Sequence, residues 1–243
     1  IALVALSLDG PETYHNELRG SQMAFKNVLK AIASLKKEGV QVNIITTIMK
    51  GNLPLLPEIE KTISTKGVSF WQLQLGIPMG KLSEHMEFVI EPNQLLDVKK
   101  FILEAKQRNQ IQLTIADSIG YCSQDELIMR NNSSTNGERV YLGCMAGCKA
   151  VAIESNGDVK GCLSLQNERF IEGNIRERSL KDIWTDKKSF NYNRNFNSES
   201  LGGYCSKCVY ANICRGGCTS LAYNTSGHIN NNNYCMHIME QRW

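Results

Sequence analysis

Nine cysteines, six of them between Cys162 and Cys235, constrain this 243-residue chain more than any other feature. The run Cys205-x-x-Cys208-x5-Cys214-x3-Cys218, followed by Cys235, has the spacing of a metal-cluster framework. Soft, anionic sulfur suits iron-sulfur clusters and zinc, and short loops let several sulfurs face one point. A CxxC step bends the chain so that both of its sulfurs can meet one metal. Cys122, Cys144 and Cys148 lie upstream. Cys162 ends a segment, 151–162, that reads as two strands joined at Asn156-Gly157, a hairpin signal. The hairpin is expected to carry Cys144, Cys148 and Cys162 toward a common end.

An odd cysteine count in a chain of this length argues against a disulfide scaffold. Structural zinc is the better rival, since two four-thiolate sites would use eight cysteines without redox chemistry.

Upstream of the cysteines, strands and helices alternate. Residues 1–8 form an apolar run of strand length followed by a polar turn. Residues 21–37 are amphipathic, with Phe25, Val28, Leu29, Ile32 and Leu35 at helical spacing and Gly39 as a stop. Strands are predicted over 40–48, 68–75 and 111–115, and helices over 57–64 and 91–108. Such alternation implies an α/β fold with a parallel sheet. Parallel strands place chemistry at their carboxyl ends, where Ser7, Asp9, Thr46, Gln72, Gln74 and Asp117 fall. Thr46 and Asp117 read most simply as turn or capping residues, and His15 as a loop or helix-start residue.

Twenty-seven basic against twenty-four acidic residues give a net charge of +3, too balanced to argue for nucleic acid. No apolar stretch approaches membrane-spanning length.

Gly143-Cys144-Met-Ala-Gly147, Asn156-Gly-Asp-Val-Lys-Gly-Cys162, the segment from Glu172 to Trp184, Cys214-Arg-Gly-Gly-Cys218 and Tyr234-Cys235, in that order, resemble the SPASM domain of radical S-adenosylmethionine (SAM) enzymes. The resemblance implies two auxiliary 4Fe-4S clusters. One would take Cys205, Cys208, Cys214 and Cys235; the other would take Cys144, Cys162 and Cys218, with Cys148 as fourth ligand. Cys122 is a further candidate in place of Cys148, and otherwise reads as a small buried hydrophobe. The 7–20 segment, with Ser7 and Arg19, is similar to the fourth strand of the radical SAM partial barrel and the stretch after that strand. Ser7 and Arg19 would then hold the amino-acid end of SAM, a forked guanidinium suiting a carboxylate. Trp71-Gln-Leu-Gln-Leu-Gly76 fits the sixth barrel strand, where Gln72 or Gln74 would face the site, depending on pleat.

The family's CxxxCxxC loop, which binds the cluster that reduces SAM, has no counterpart in this sequence. The chain therefore reads as the back half of a longer enzyme. Residues 1–120 would be the C-terminal part of a partial (β/α)6 radical SAM barrel, 121–138 a linker, and 139–243 a small cysteine-rich α+β SPASM domain. The resemblance implies hydrogen abstraction by a 5'-deoxyadenosyl radical from a peptide or protein substrate, a flavodoxin or ferredoxin as electron donor, and a cytoplasmic setting. A sulfatase maturase would place an aspartate after the cysteine that ends the hairpin, where Leu163 stands. No catalytic base is evident; Tyr121, Glu154, Asp158 and Asp182 are candidates, with Glu154 and Asp158 expected as surface charges. Ser179 is expected to cap a short helix whose Leu180, Ile183 and Trp184 pack beside the clusters. The alternative from a different class is a non-catalytic metal-binding module, zinc or iron-sulfur, that docks a peptide.

Overall fold

The computed structural model describes residues 1–131 and 140–242. The polar stretch 131–137, expected as a loop, lies outside the described residues except for Asn131. Its first part runs β1 (Leu3–Ser7), α1 (Glu12–Arg19), α2 (Ala24–Lys37), β2 (Gln41–Ile48), α3 (Leu56–Ser64), β3 (Phe70–Leu75), α4 (Leu95–Arg108) and β4 (Gln112–Ile115). The four strands pair in sequence order and all are parallel. Parallel neighbours require a crossover, and α2, α3 and α4 supply it.

Every expected strand is present. The helix expected over 91–108 begins as a 3-10 turn at Pro92–Gln94 and becomes α-helical at Leu95. Helix α1 replaces the expected polar turn. It carries too few apolar residues to show a period, and a buried polar side chain anchors it instead. Asn16 donates to the Gln22 carbonyl at 2.8 Å and accepts from the Phe25 amide at 2.9 Å.

Alternation within the strands divides the sheet into two faces. Val42, Ile44 and Ile48 of β2, Trp71, Leu73 and Leu75 of β3 and Leu113 of β4 are buried in one core with Ile32, Ile59, Ile63, Val98 and Ile102 from the helices. The Trp71 indole donates to Thr46 Oγ1 at 2.8 Å, and Thr46 donates to the Leu8 carbonyl at 2.6 Å, so this buried polar pair is satisfied. On the opposite face, parallel register aligns Ser7, Ile45, Gln72 and Thr114 in one row across all four strands, with Thr47 and Gln74 in the next row.

The rest of the chain is built from short pieces: α5 (Glu126–Arg130), β5 (Ala152–Ile153), β6 (Asp158–Lys160), β7 (Gly173–Asn174), α6 (Leu180–Thr185), α7 (Asn191–Arg194), α8 (Ala211–Cys214), α9 (Thr219–Ser226) and α10 (Met236–Arg242). The expected hairpin forms between β5 and β6, and β7 adds an unforeseen third antiparallel strand. Ser179 caps α6, its Oγ accepting the Asp182 amide at 3.1 Å. Ile183 is buried with Val159 and Phe190, while Leu180 is exposed. This helix therefore packs on the small sheet through Ile183 and Trp184. Helix α10 returns to α4: Met236, Ile238 and Met239 join the main core, and Lys99 bonds Glu240 at 2.5 Å and Asp125 at 2.6 Å. None of the described helices is long and apolar enough to cross a membrane.

Candidate metal centre and the adjoining sheet face

The cysteines fall into two groups. All nine are free thiols. Cys205 interacts electrostatically with Cys208 and Cys214, and Cys235 with Cys205 and Cys214. Cys218 is coupled instead to Cys144 and Cys162. Cys148 is half-buried four residues after Cys144, on the same loop. Cys122 stands with Cys205, Cys208, Cys214 and Cys235: its thiol is paired with Cys214 and it also senses Cys235.

Local structure explains how these thiols are held. Cys218 and Cys235 precede α9 and α10, so orphan amides at the helix starts face their sulfurs: Ser220 and Leu221 for one, His237 and Ile238 for the other. Burial outweighs those amides and pushes both thiols up to about 12. Cys214 is held below the ordinary thiol range, chiefly by the hydrogen bond from Cys122, with the Gly216 and Gly217 amides adding to it. Cys122 is correspondingly held far above that range, by the same bond and then by burial. Buried thiols of this kind ionise when a metal takes the place of the proton.

Among the described residues no three His, Cys, Asp or Glu side chains converge as tightly as a single ion requires. Tetrahedral zinc draws sulfurs to roughly 2.3 Å from one centre. In a four-iron cluster each thiolate takes its own iron, which spreads the four sulfurs apart. Buried polar atoms without partners favour the cluster. Tyr141 Oη, Tyr192 Oη and Asn232 Nδ2 are three of the five such atoms among the described residues, and all three lie beside these thiols. Tyr141 neighbours Cys144 and Cys218, Tyr192 neighbours Cys144 and Cys162, and the Asn232 backbone amide bonds Cys205. Asn232 is orientated by its Oδ1, which accepts the Tyr234 amide at 2.9 Å, so its NH2 is the free end. Buried donors without acceptors are rare and costly; sulfur-rich anions in the two thiol groups would satisfy them. The residues present therefore fit iron-sulfur clusters. Sequence reasoning missed these three side chains, which have no spacing signature.

The expected SAM residues separate into two places. Ser7, Gln72 and Gln74 share the open sheet face. Gln72 and Gln74 were expected as alternatives; being two apart on one strand, both point to that face, and Gln74 donates to Thr47 Oγ1 at 3.1 Å. Arg19 lies off it, at the end of α1, where its guanidinium bonds the buried Asp9 carboxylate. Asp9 also accepts the Thr47 amide at 2.9 Å. His15 is buried within α1, and its Nδ1 accepts the Asp9 amide at 3.1 Å. Burial lowers its pKa, Arg19 adds to that, and Asp9 opposes it.

A cleft of about 450 Å³ connects the end of β4 with the first cysteine loop, lined by Thr114, Asp117, Arg130, Tyr141, Gly143 and Lys149 among others. Glu126 builds its wall. This buried carboxylate pairs with Arg130 at 2.7 Å, accepts the Tyr141 amide at 2.9 Å and also accepts the Cys122 amide. The candidate bases are occupied elsewhere: Tyr121 donates to the Asp117 carbonyl at 2.7 Å, Glu154 pairs with Lys160 at 2.8 Å, and Asp182 bonds Ser179. Asp158 is half-buried and bonds Asn156 and Asn174.

The structure thus joins a parallel α/β sheet to a cysteine-rich lobe that carries two thiol groups. Residues 144–209 match the family model for SPASM, an iron-sulfur cluster-binding domain, and the chain is a homologue of radical SAM/SPASM proteins. It is 28% identical over 235 residues to an AdoMet-dependent heme synthase of Oleidesulfovibrio alaskensis, covering 92% of this chain and 58% of that protein. It is 23% identical over 225 residues to a cysteine-type anaerobic sulfatase-maturating enzyme of Clostridium perfringens, covering 89% and 58%. The fold matches Streptococcus suis SuiB bound to its precursor peptide SuiA with a TM-score of 0.68 at 16% identity, covering 95% of this chain and 52% of that one. The chain thus spans a little over half the length of these relatives.

Proposed function

We propose that the chain supplies two auxiliary 4Fe-4S clusters and part of the SAM and substrate site of a radical SAM enzyme that modifies a peptide or protein. The observation that carries this reading is the division of the cysteines into two groups, each beside buried donors that lack acceptors. Cys205, Cys208, Cys214 and Cys235 would hold one cluster. Cys144, Cys162 and Cys218 would hold the other, with Cys148 the remaining thiol on its loop. When bound, such clusters exchange single electrons with a substrate radical generated through SAM cleavage.

The chain's own residues do the positioning. Ser7, Gln72 and Gln74 present polar groups on one sheet face for SAM. Arg19 directs a forked cation beside the same strand ends, and Asp9 holds it there. The cleft between β4 and the Cys144 loop admits substrate between that face and the first cluster. Oxygen-sensitive clusters and free thiols suit a reducing cytoplasm and a flavodoxin- or ferredoxin-type donor.

A second reading has its own observation: the match to heme synthases covers 92% of the chain. In that case the cleft would take a carboxylate-bearing tetrapyrrole, with Lys149 at its edge. Titrating the anaerobically reconstituted chain with iron-coproporphyrin III separates the two. No change in the Soret band at micromolar protein is expected for the peptide modifier; saturable binding with a shifted band would replace the peptide reading with the tetrapyrrole one.

A further inference from the structure

Two tyrosines flank Cys144, Cys162 and Cys218, the first cysteine group in chain order. Tyr141 precedes Cys144 by three residues and is almost wholly buried. Its ring stacks at 4.8 Å from Tyr121 and lies under the Arg130 guanidinium at 5.1 Å. These contacts fix the ring and leave the hydroxyl unpaired. Tyr121 makes the contrast within the same pair, since its hydroxyl is satisfied by the Asp117 carbonyl at 2.7 Å. Tyr192 reaches the same group from α7. Its ring packs edge-on against Phe170 at 5.4 Å, and its buried hydroxyl faces the Gly161 backbone amide, one residue before Cys162, with no acceptor for its own hydrogen. A methyl group at Gly161 would stand 2.3 Å from that oxygen, so the absence of a side chain there is what lets the phenol approach.

A buried O–H without an acceptor is rare and costly. Two such groups converging on one trio of thiols imply an acceptor that arrives between them. Burial, the largest cause in each case, holds both phenols well above their ordinary pKa, so they remain O–H donors at neutral pH.

Resting on the cluster reading above, we infer that Tyr141 and Tyr192 donate O–H···S hydrogen bonds to the first auxiliary cluster and raise its reduction potential, acting as positioning and tuning residues without ligating iron. Each added electron increases the negative charge on the sulfurs, so a donor stabilises the reduced form more than the oxidised one. The thiols that act on the two phenols are Cys144, Cys162 and Cys218, so a cluster on Cys205, Cys208, Cys214 and Cys235 would serve as an internal control.

The test compares the reconstituted wild-type chain with Tyr141→Phe, Tyr192→Phe and the double variant, using iron content and dithionite-poised redox titration followed by electron paramagnetic resonance. Each single variant is expected to keep the wild-type iron content. The reduced-to-oxidised ratio of the first cluster at fixed poise should fall about tenfold, or about 59 mV for one electron, and the second cluster should not move. An unshifted first potential in variants that retain iron overturns the inference. Wild-type protein gives an independent reading: pulsed resonance in H2O and D2O should show an exchangeable proton coupled to the reduced first cluster, and its absence also overturns the inference. Low iron in the wild type itself would instead count against the cluster reading.

Discussion

The Cys122 thiol pairs with Cys214, so the ninth cysteine stands with the CxxC group. That relationship assigns it a supporting part: it stabilises the Cys214 thiolate before metal arrives. Cys122→Ala should retain wild-type iron at both sites, while apo Cys214 alkylates about tenfold more slowly at pH 7, the loss of one hydrogen bond to an anion. Site-resolved mass spectrometry after timed iodoacetamide exposure reads the rate. Loss of half the iron would make Cys122 a ligand.

Glu126 is the polar keystone between the two cysteine groups, since it meets Arg130, the Cys122 amide and the Tyr141 amide in a buried setting. Glu126→Ala leaves a buried guanidinium without a counter-charge, bonded among the described residues only to the Ile119 carbonyl, and two amides without their acceptor. A destabilisation of about 3–5 kcal/mol is expected, measurable by urea unfolding of the apo chain. A change below about 1 kcal/mol would mean that water replaces the carboxylate.

His15 links acid stability to the Asp9 cluster. Burial lowers its folded pKa below the unfolded value of about 6.5. Below pH 6.5 the unfolded chain binds this proton first, so the stability His15 contributes is complete above that pH and is lost as pH falls toward the folded pKa. His15→Gln should flatten the fall in melting temperature between pH 6.5 and 5. An unchanged slope would show that His15 titrates alike in both states.

Gly161→Ala should disturb the first cysteine group selectively. The added methyl would meet Tyr192 Oη at 2.3 Å and backbone atoms of Ala146 and Gly147 at 2.9 Å. Backbone cannot yield as a flexible side chain can, so the hairpin end must shift away from the Cys144 loop. Iron at the first site should fall by more than half while the other site loads normally, as seen by metal analysis and resonance of the reduced protein. Full loading of both sites would show that the loop adapts.

The parts that depend on local pattern were legible in the sequence. Alternating Val42, Ile44 and Ile48 mark β2, the spacing of Phe25 to Leu35 marks α2, and Asn156-Gly157 marks the hairpin turn. Cysteine spacing marked the CxxC thiol group because short loops bring Cys205, Cys208 and Cys214 together. The hidden parts depend on contacts distant in sequence. Helix α1 rests on Asn16 bonding residues six and nine positions away. The placement of Cys122 depends on a turn in which both Tyr121 and Cys122 adopt positive φ, 75° and 54°. Tyr141 and Tyr192 are ordinary aromatics until folding buries their hydroxyls beside the thiols.

Iron, acid-labile sulfide and zinc content of the chain after anaerobic reconstitution tests the central claim most directly. About eight irons with matching sulfide are predicted, falling to about four in Cys208→Ala with the parallel sheet still folded by circular dichroism. About two zincs without sulfide would contradict the account and leave a structural metal-binding module.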